Sequence, residues 1–402
     1  MASIGLRAYF APCGIGLGHI TRCRAVLDRL REHVPVEAFF ATYSDALLYA
    51  RSSGFKVLEV PPLRLMTKDT GEIDVKETIL YLASRGRLAA IAVSQLAYDL
   101  KYIAATNPDV VVSDTRAMAI LAAKILGIPR ICITNQIRFY VPRKKRMLRV
   151  SRLTEATILA VIGEIWAMSD KIFVPDFPEP YTICYMNLEV HDRLRKRIRF
   201  VGPFLSRRPE ELPDGEQAKE ELGLDPDKPM VLVPVAGTEA DRNFFIKTVF
   251  RALRKVVSEG LQVVLGLGRP DYKEKVFMEK KGLRVLYWIN DFPTYLKASD
   301  VVVLRGGHTS IMYCMAYGKP MLIIPTPGHT EQMLNALRAK RLRIAEVLLQ
   351  DEICVEKVRR ALRSLLEEEE YRKSIREVEA VASKLDGVGE VVKAVLELSR
   401  GD

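Results

Sequence analysis

Residues 305–336, RGGHTSIMYCMAYGKPMLIIPTPGHTEQMLNA, decide the fold of the second half of the chain. Gly306 and Gly307 predict a turn that opens a helix, MLIIP predicts a buried strand, and Glu331 and Gln332 lead the next helix. A glycine turn at a helix N-terminus exposes unpaired backbone N–H groups where the helix dipole is positive. The stretch therefore predicts a phosphate site, with two polar side chains one connection later that reach hydroxyl groups of the ligand.

A second glycine loop follows the first strand of the chain. LRAYFAP (6–12) predicts a strand, CGIGLGH (13–19) a turn, and ITRCRAVLDRLRE (20–32) an amphipathic helix. Such loops lie at the carboxyl end of a parallel sheet, where open α/β sheets bind ligands. A dinucleotide site needs G-x-G-x-x-G, but His19 occupies the last glycine position and no acidic residue ends the following strand. The loop therefore argues against an NAD-dependent oxidoreductase.

His19 ends the first glycine loop, and Asp114 ends the strand DVVVSD. An imidazole that is held by a carboxylate through one nitrogen is a competent general base at the other, because the carboxylate fixes the tautomer and stabilises the imidazolium. The alternative is that each residue caps the helix that follows it.

Apolar strand patterns alternate with helical patterns along the 402 residues, which is typical of parallel α/β sheets and of two domains. The segment 201–229 concentrates Pro, Gly and charge, so we place a hinge at about 203–215. The six cysteines lack a C-x-x-C pair, which argues against zinc and disulfides. No apolar run of membrane-spanning length and no signal peptide pattern is present, so we expect a cytoplasmic protein, at the inner face of the cell membrane.

The stretch 305–336 resembles the donor-binding signature of nucleotide-sugar glycosyltransferases of families 1 and 28, which have the GT-B fold. The matching residues are Arg305, Gly306, Gly307, His308, Thr309, Ser310, Gly318, Pro320, Glu331 and Gln332. Tyr313 departs from the pattern, because those families carry a ribose-binding Glu there. Upstream, WIND (288–291) stands where family members have a base-stacking Trp, which suggests Trp288 as the base platform and Asp291 as a substitute ribose ligand. The alternative for Trp288 is simple packing.

The resemblance implies two Rossmann-like domains with parallel sheets that face a central cleft. We place the acceptor-binding domain at 1–203, the nucleotide-sugar-binding domain at 204–387, and a helix that crosses back at 388–402. The implied catalytic pair is His19 and Asp114. Implied donor-binding residues are Gly237, Thr238, Trp288, Ile289, Asp291, Arg305, Gly306, Gly307, His308, Thr309, Glu331 and Gln332. Implied acceptor-binding residues are Gly16, Gly18, Asn135 and Gln136.

The implied reaction is an inverting, metal-independent transfer of a hexose or N-acetylhexosamine from a UDP-sugar to a hydroxyl, with no cofactor. Arg305 and the amides that follow it would stabilise the departing diphosphate in place of a metal. DPD at 225–227 has the form of a metal site, but we interpret it as a turn because it contains Pro226.

The uneven distribution of charge along the chain indicates the kind of acceptor. Residues 1–203 hold 29 Lys and Arg against 19 Asp and Glu, whereas the remainder holds 32 against 31. The basic runs 138–152 and 193–200 suit a lipid-linked or other anionic acceptor and peripheral binding to an anionic membrane. The alternative is a solvated basic face. No RNA-binding motif accompanies the charge, so no nucleic-acid partner is expected.

Two alternative functions stay open. A UDP-sugar 2-epimerase shares the fold, but its donor loop usually carries a glutamate pair after the glycines, where this chain reads RGGHTSIMY. A noncatalytic nucleic-acid- or lipid-binding protein would explain the charge but would leave both glycine loops unexplained.

Overall fold

The computed structural model describes residues 5–64, 66–68, 72, 74–136, 161–185, 196–237, 239–257, 259–270, 272 and 275–400. The chain forms two compact units. Unit 1 comprises Met1–Met66, Asp74–Phe204 and Asp386–Asp402, and unit 2 comprises Thr67–Ile73 and Leu205–Leu385. The chain thus passes into unit 2 after Phe204, inside the segment 203–215 where the sequence predicts a hinge, and returns after Leu385.

Unit 1 contains a seven-stranded parallel sheet with the order β3-β2-β1-β4-β5-β6-β7. Its strands are β1 (Leu6–Pro12), β2 (Val36–Thr42), β3 (Lys56–Glu59), β4 (Val110–Asp114), β5 (Arg130–Ile133), β6 (Lys171–Val174) and β7 (Ile198–Phe200). Its helices are α1 (Gly18–Arg31), α2 (Ser44–Ser52), α3 (Val75–Ala83), α4 (Arg87–Thr106) and α5 (Ala117–Ile125), and residues 161–166 are also helical. The central strand β4 is buried along its whole length, as its continuous apolar sequence requires.

Unit 2 repeats this plan with the order β10-β11-β9-β8-β12-β13-β14, parallel except for β10. Its strands are β8 (Met230–Pro234), β9 (Gln262–Gly266), β10 (Val276–Lys280), β11 (Leu283–Leu286), β12 (Val301–Leu304), β13 (Met321–Ile323) and β14 (Ala345–Val347). Its helices are α6 (Gly215–Glu221), α7 (Glu239–Val257), α8 (Phe292–Ala298), α9 (His308–Ala316), α10 (Thr330–Arg341), α11 (Val355–Glu367) and α12 (Glu369–Ala382). The predicted architecture of two parallel-sheet α/β domains is confirmed.

The last helix, α13 (Gly387–Arg400), belongs to unit 1, where it packs on α1. Gly387 permits close approach, because a Cβ there would lie 2.6 Å from the carbonyl oxygen of Gly202. An ion pair of 2.9 Å between Arg199 and Glu390 joins the helix to β7. The chain end is thereby anchored to the unit in which the chain begins.

Each sheet has one point at which the direction of strand progression reverses. In unit 1 the reversal falls between β1 and β4, and in unit 2 it falls between β8 and β12. Right-handed crossovers place the helices before and after such a point on opposite faces, which leaves a crevice at the carboxyl ends of the two strands. The loop 13–19 and Asp114 lie at the first reversal, and the loops 235–238 and 305–307 lie at the second.

Candidate active site

His19 and Asp114 meet at the reversal in unit 1. Nδ1 of His19 lies 2.7 Å from Oδ1 of Asp114, whose side chain is completely buried, whereas the His19 side chain is 22% exposed. β1 and β4 pair in register so that Pro12 lies beside Asp114, and this pairing brings the glycine loop to the carboxylate. The arrangement leaves the imidazole with one nitrogen held inside the domain, as the sequence analysis proposed for a general base.

The carboxylate has a second partner that the sequence analysis did not assign. Arg22 donates from Nε to Oδ2 of Asp114 at 2.7 Å and from Nη2 to Oδ1 at 2.8 Å. The same Nη2 lies 3.3 Å from Oδ1 of Asn135, which is itself buried. Arg22 follows His19 by three residues on α1, so the i, i+3 spacing of His and Arg is the signal that sequence reading overlooked.

These partners determine the protonation of Asp114. Burial alone would raise its pKa, but the Arg22 guanidinium and His19 outweigh burial and hold the pKa of Asp114 well below the ordinary range. The carboxylate is therefore ionised at neutral pH, and it acts only as an acceptor.

A buried ion pair supports the loop that follows Asp114. Arg116 donates to Oδ2 of Asp99 at 2.5 Å and to the carbonyl oxygen of Ala41 at 2.9 Å, and Tyr9 donates to Oδ1 of Asp99 at 2.8 Å. Thr115, between Asp114 and Arg116, adopts a positive φ of 71°. This conformation is uncommon for a residue other than glycine, so the surrounding contacts must hold it.

The predicted acceptor residues around this pair have distinct positions. Gly16 has a φ of 70° and its amide donates to Asp45, while Gly18 is the first residue of α1. Asn135 lies inward beside Arg22, and the Gln136 backbone closes a small turn with the Thr134 hydroxyl. Asn135 therefore contacts the His19–Asp114 pair through Arg22. Its predicted contact with acceptor stays a prediction.

The phosphate loop of unit 2 has the geometry that its glycines predict. Gly306 has a φ of 89°, and a Cβ there would lie 3.0 Å from both Ile323 and the carbonyl oxygen of Gln332. Gly307 precedes α9 without a side-chain cap, so backbone amides lead the helix. In the loop that follows the neighbouring strand β8, Gly237 has a φ of 117° and lies just before α7. Two helix N-termini thus begin beside the reversal, the arrangement that favours a diphosphate.

Arg305 has partners other than the predicted diphosphate. Its side chain is 6% exposed and forms an ion pair with Asp241, which is 8% exposed. Nε donates to Oγ1 of Thr326 at 3.1 Å, Nη1 donates to Gln350 at 2.7 Å, and Thr326 in turn donates to Asp241 at 3.2 Å. The Arg305 guanidinium thereby joins the first turn of α7 to the segments that follow β13 and β14. Its predicted contact with diphosphate stays a prediction.

Glu331 and Gln332 lie in the first turn of α10, as predicted. Oε1 of Gln332 accepts from the amide of Thr326 at 2.8 Å, so this side chain also orders the loop after β13. Nδ1 of His329 accepts from the Gln332 amide at 3.4 Å. Burial lowers the pKa of His329, which agrees with a neutral ring that accepts at Nδ1.

The residues of the WIND segment differ in burial and contacts. Asp291 caps α8 by accepting from the Thr294 amide at 3.4 Å, and it pairs with Arg207. Ile289 is buried against Gly266, whereas Trp288 is only half-buried. The Asp291 side chain is 49% exposed, and its predicted contact with ribose stays a prediction.

Tyr313, which replaces the ribose-binding Glu of the resembling families, is 6% exposed. Its hydroxyl accepts from the Ser206 amide at 2.8 Å and donates to Oγ of Ser206 at 3.1 Å. Tyr317, one turn later, donates to the carbonyl oxygen of Arg207 at 2.7 Å. The two tyrosines thus hold the start of unit 2 against α9.

The remaining predicted residues lie partly outside and partly inside the described part of the chain. The predicted donor residue Thr238, the basic run 138–152 and residues 193–195 of the second basic run lie outside the described residues. His308 is buried at the first position of α9, and Thr309 follows it. DPD forms a turn in which Asp225 accepts from the Asp227 amide at 3.2 Å and pairs with Lys228.

Comparison with known proteins agrees with this geometry. The glycosyltransferase family 28 C-terminal domain matches residues 230–388, and glycosyl transferase family 1 matches residues 7–165. An uncharacterized glycosyltransferase of Methanosarcina mazei is 29% identical over 394 residues, which cover 97% of each chain. The glycosyltransferase SnogD from Streptomyces nogalater has the same fold, with a TM-score of 0.63 at 18% identity and coverage of 98% of this chain and 99% of that chain.

The name of one relative specifies a reaction. The UDP-N-acetylglucosamine–N-acetylmuramyl-(pentapeptide) pyrophosphoryl-undecaprenol N-acetylglucosamine transferase of Caldicellulosiruptor saccharolyticus is 31% identical over 186 residues, which cover 44% of this chain and 48% of that enzyme.

The fold and the matches together define a glycosyltransferase of the GT-B type. Within that class the chain resembles family 28 in its C-terminal half and family 1 in its N-terminal half. Among the described helices, none combines the length and the apolar character that crossing a membrane requires.

Proposed function

We propose that the protein transfers a hexose or N-acetylhexosamine from a UDP-sugar to a hydroxyl group of a lipid-linked or other anionic acceptor, with inversion at the anomeric carbon. The observation that carries the proposal is the His19–Asp114 pair at 2.7 Å, placed at the strand reversal of unit 1. A solvent-accessible imidazole held by a buried carboxylate is the device needed to remove a proton from a hydroxyl. The glycine loops of unit 2 supply the donor site.

In the proposed reaction, the acceptor oxygen attacks the anomeric carbon as its proton passes to Nε2 of His19. The bond between that carbon and the β-phosphate oxygen breaks, and UDP leaves with the bonding electrons. A single displacement inverts the anomeric configuration. Negative charge develops on the diphosphate, so the amides that lead α7 and α9, near Gly237 and Gly307, would stabilise the transition state.

We propose that this charge stabilisation replaces a metal ion and that the protein uses no cofactor. Arg305 contributes indirectly, because its bonds to Asp241 and Thr326 order the loops that carry these amides. Turnover should therefore persist in EDTA. Loss of activity in EDTA that is restored by magnesium would contradict metal independence.

Two features support an anionic, lipid-linked acceptor. The half of the chain that carries His19 also carries the excess of basic residues, 29 against 19 acidic residues in 1–203. The partial relative from C. saccharolyticus is named for an acceptor in which pyrophosphoryl-undecaprenol carries the sugar. An acceptor of this kind would place the protein in the cytoplasm at the inner membrane surface, without a requirement for nucleic acid.

The first experiment measures thermal stabilisation by UDP, dTDP, NAD and a short RNA. UDP should raise the melting temperature, and NAD and RNA should not. Gly306→Ala should abolish the effect of UDP, because the added Cβ strains a left-handed backbone and meets the Gln332 carbonyl. Gly260→Ala is the matched control, since Gly260 also has a positive φ, 99°, but nothing within 4 Å of its Cβ position.

The second experiment incubates the protein with UDP-N-acetylglucosamine and a short-chain polyprenyl pyrophosphate that carries a sugar. We expect release of UDP and formation of one new glycosidic bond with inverted configuration. Epimerisation of the donor without transfer, or stabilisation by NAD or RNA in place of UDP, would refute the proposal.

A further inference from the structure

Arg22 occupies the space behind the proposed base. Its side chain is 3% exposed, and its guanidinium reaches both oxygens of Asp114 at 2.7 and 2.8 Å. The same Nη2 atom lies 2.9 Å from Nδ1 of His19. The Arg22 guanidinium, the Asp114 carboxylate and the His19 imidazole therefore lie in mutual contact, with Arg22 and Asp114 buried.

The distances determine which ring nitrogen carries hydrogen. Asp114 is ionised, so it accepts and does not donate. Since its Oδ1 lies 2.7 Å from Nδ1 of His19, the hydrogen between them belongs to Nδ1. Because Nδ1 then carries a hydrogen and has no free lone pair, Arg22 Nη2 cannot donate a hydrogen bond to it. The guanidinium is in electrostatic contact with the ring instead. Nε2 carries the lone pair and is the atom that accepts a proton.

Arg22 also changes the effect of the carboxylate on the ring. A carboxylate paired with an imidazole alone favours the imidazolium, because the opposite charges attract. Here the Arg22 cation already balances Asp114, and it lies against the same nitrogen. A second positive charge on the ring is therefore disfavoured relative to a simple His–Asp pair.

The other titratable groups at this position belong to the neighbouring elements. Burial raises the pKa of the Cys23 thiol on α1 and of the Cys132 thiol on β5, and the negative charge of Asp114 raises both further. Both thiols are therefore neutral. Asp45 on α2 accepts from the Gly16 amide. Within the described part of unit 1, Asp114 and Arg22 are the charged side chains in contact with the His19 ring.

We propose that Arg22 is a positioning residue that orients His19 through Asp114 and disfavours a positive charge on the imidazole, so that the Nε2 lone pair is ready to accept a proton. The first part concerns the folded protein by itself. The catalytic consequence rests on the proposed function, in which Nε2 accepts the acceptor's proton.

The test titrates the His19 ring by NMR of the histidine nitrogens, with His19→Ala to assign its signal among the five histidines. Arg22→Gln should move the titration midpoint upward by about one pH unit or more, since charges within a few ångströms typically shift such equilibria by 1 to 3 units. Arg22→Lys keeps the charge and should leave the midpoint close to that of the wild type. A wild-type midpoint in folded Arg22→Gln would overturn the proposal.

Arg22→Gln leaves Asp114 buried without its cation, which threatens folding. The double variant Arg22→Met/Asp114→Asn removes both charges and avoids that cost. If the two charges balance at the ring, its midpoint should stay within about half a pH unit of the wild type. A titration midpoint of the His19 ring that falls by one pH unit or more in the double variant would show that Asp114 alone controls the ring. This result would overturn the proposal even if Arg22→Gln does not fold.

Kinetics separate this inference from the proposed function. The acidic limb of the pH profile of kcat/KM should move with the ring in Arg22→Gln and stay in place in Arg22→Lys. If the ring titration moves and the pH profile does not, Arg22 has the proposed influence but His19 is not the base. If neither moves, the inference about Arg22 is wrong whatever the reaction.

Discussion

Nδ1 of His19 lies 2.7 Å from Oδ1 of Asp114, although the two residues stand 95 positions apart in the chain. The contact exists because β1 and β4 are neighbours in the sheet: Asp114 is the last residue of β4, and His19 lies in the first turn of α1, after the loop that follows β1. In the resembling families the same layout carries the acceptor base. Substitution of either residue of this contact therefore tests whether His19 acts as the base.

His19→Ala and Asp114→Asn should each lower kcat by about 10² to 10⁴-fold if the acceptor is a hydroxyl, because its proton must leave as the bond forms. His33→Ala is the matched control, since His33 is an exposed histidine beyond the end of α1. An acceptor that attacks through an ionised phosphate needs no base. In that case His19→Ala would raise only the acceptor KM, and Asp114→Asn would have little effect on turnover.

Glu331→Ala should raise the KM for the intact nucleotide sugar more than the Kd for free UDP, because the residue is proposed to face the sugar. Glu356→Ala is the matched control: Glu356 also lies in the first turn of a helix, α11, so the loss of charge near a helix N-terminus is the same. Steady-state kinetics and calorimetry provide the two constants. Equal weakening of sugar nucleotide and UDP would contradict the assignment.

Gln332 also orders the loop after β13, so its substitution should affect stability as well as donor binding. Gln332→Glu keeps an oxygen that accepts from the Thr326 amide, whereas Gln332→Ala leaves that amide unpaired. We expect the alanine variant to lose about 1 to 3 kcal/mol of stability as well as donor binding. The glutamate variant should keep most of its stability. Similar unfolding midpoints in urea for the two variants would show that this hydrogen bond does not order the loop.

Asp241→Asn should destabilise unit 2 by about 3 to 5 kcal/mol, because it leaves the buried Arg305 cation without its carboxylate. Arg305→Met/Asp241→Asn removes both charges and should recover most of that stability. Donor binding should stay weak in the double variant, since the loops after β8 and β12 are no longer joined. Arg363→Ala, which breaks the exposed pair with Glu367, is the control and should be nearly neutral. Normal UDP affinity in the double variant would refute the ordering role of Arg305.

Tyr313→Phe should leave UDP affinity unchanged and cost about 1 kcal/mol of stability, because the Tyr313 hydroxyl is engaged with Ser206. Tyr317→Phe removes a hydroxyl that bonds the same segment, so it is the matched control. A loss of UDP affinity in Tyr313→Phe alone would show that Tyr313 serves as a nucleotide ligand.

The sequence by itself determined the α/β class and the positions of the central strands. Apolar runs such as VVV in β4 and VVVL in β12 become strands that are buried on both faces, and the glycine loops between strand and helix follow directly from them. The pairing of His19 with Asp114 was implied by the family resemblance. The edge strands β3, β7 and β10 are harder to predict, because they are largely exposed and carry charged residues, which weakens the apolar signal.

Only the tertiary structure decided which polar side chains are directed inward. Arg22 and Arg305 are charged residues next to glycine loops, and sequence alone treats such residues as free to reach a ligand. Their actual partners, Asp114 and Asp241, are distant in the chain. A buried charge requires a specific opposite charge within a few ångströms, and strand order, not local sequence, determines which one lies there.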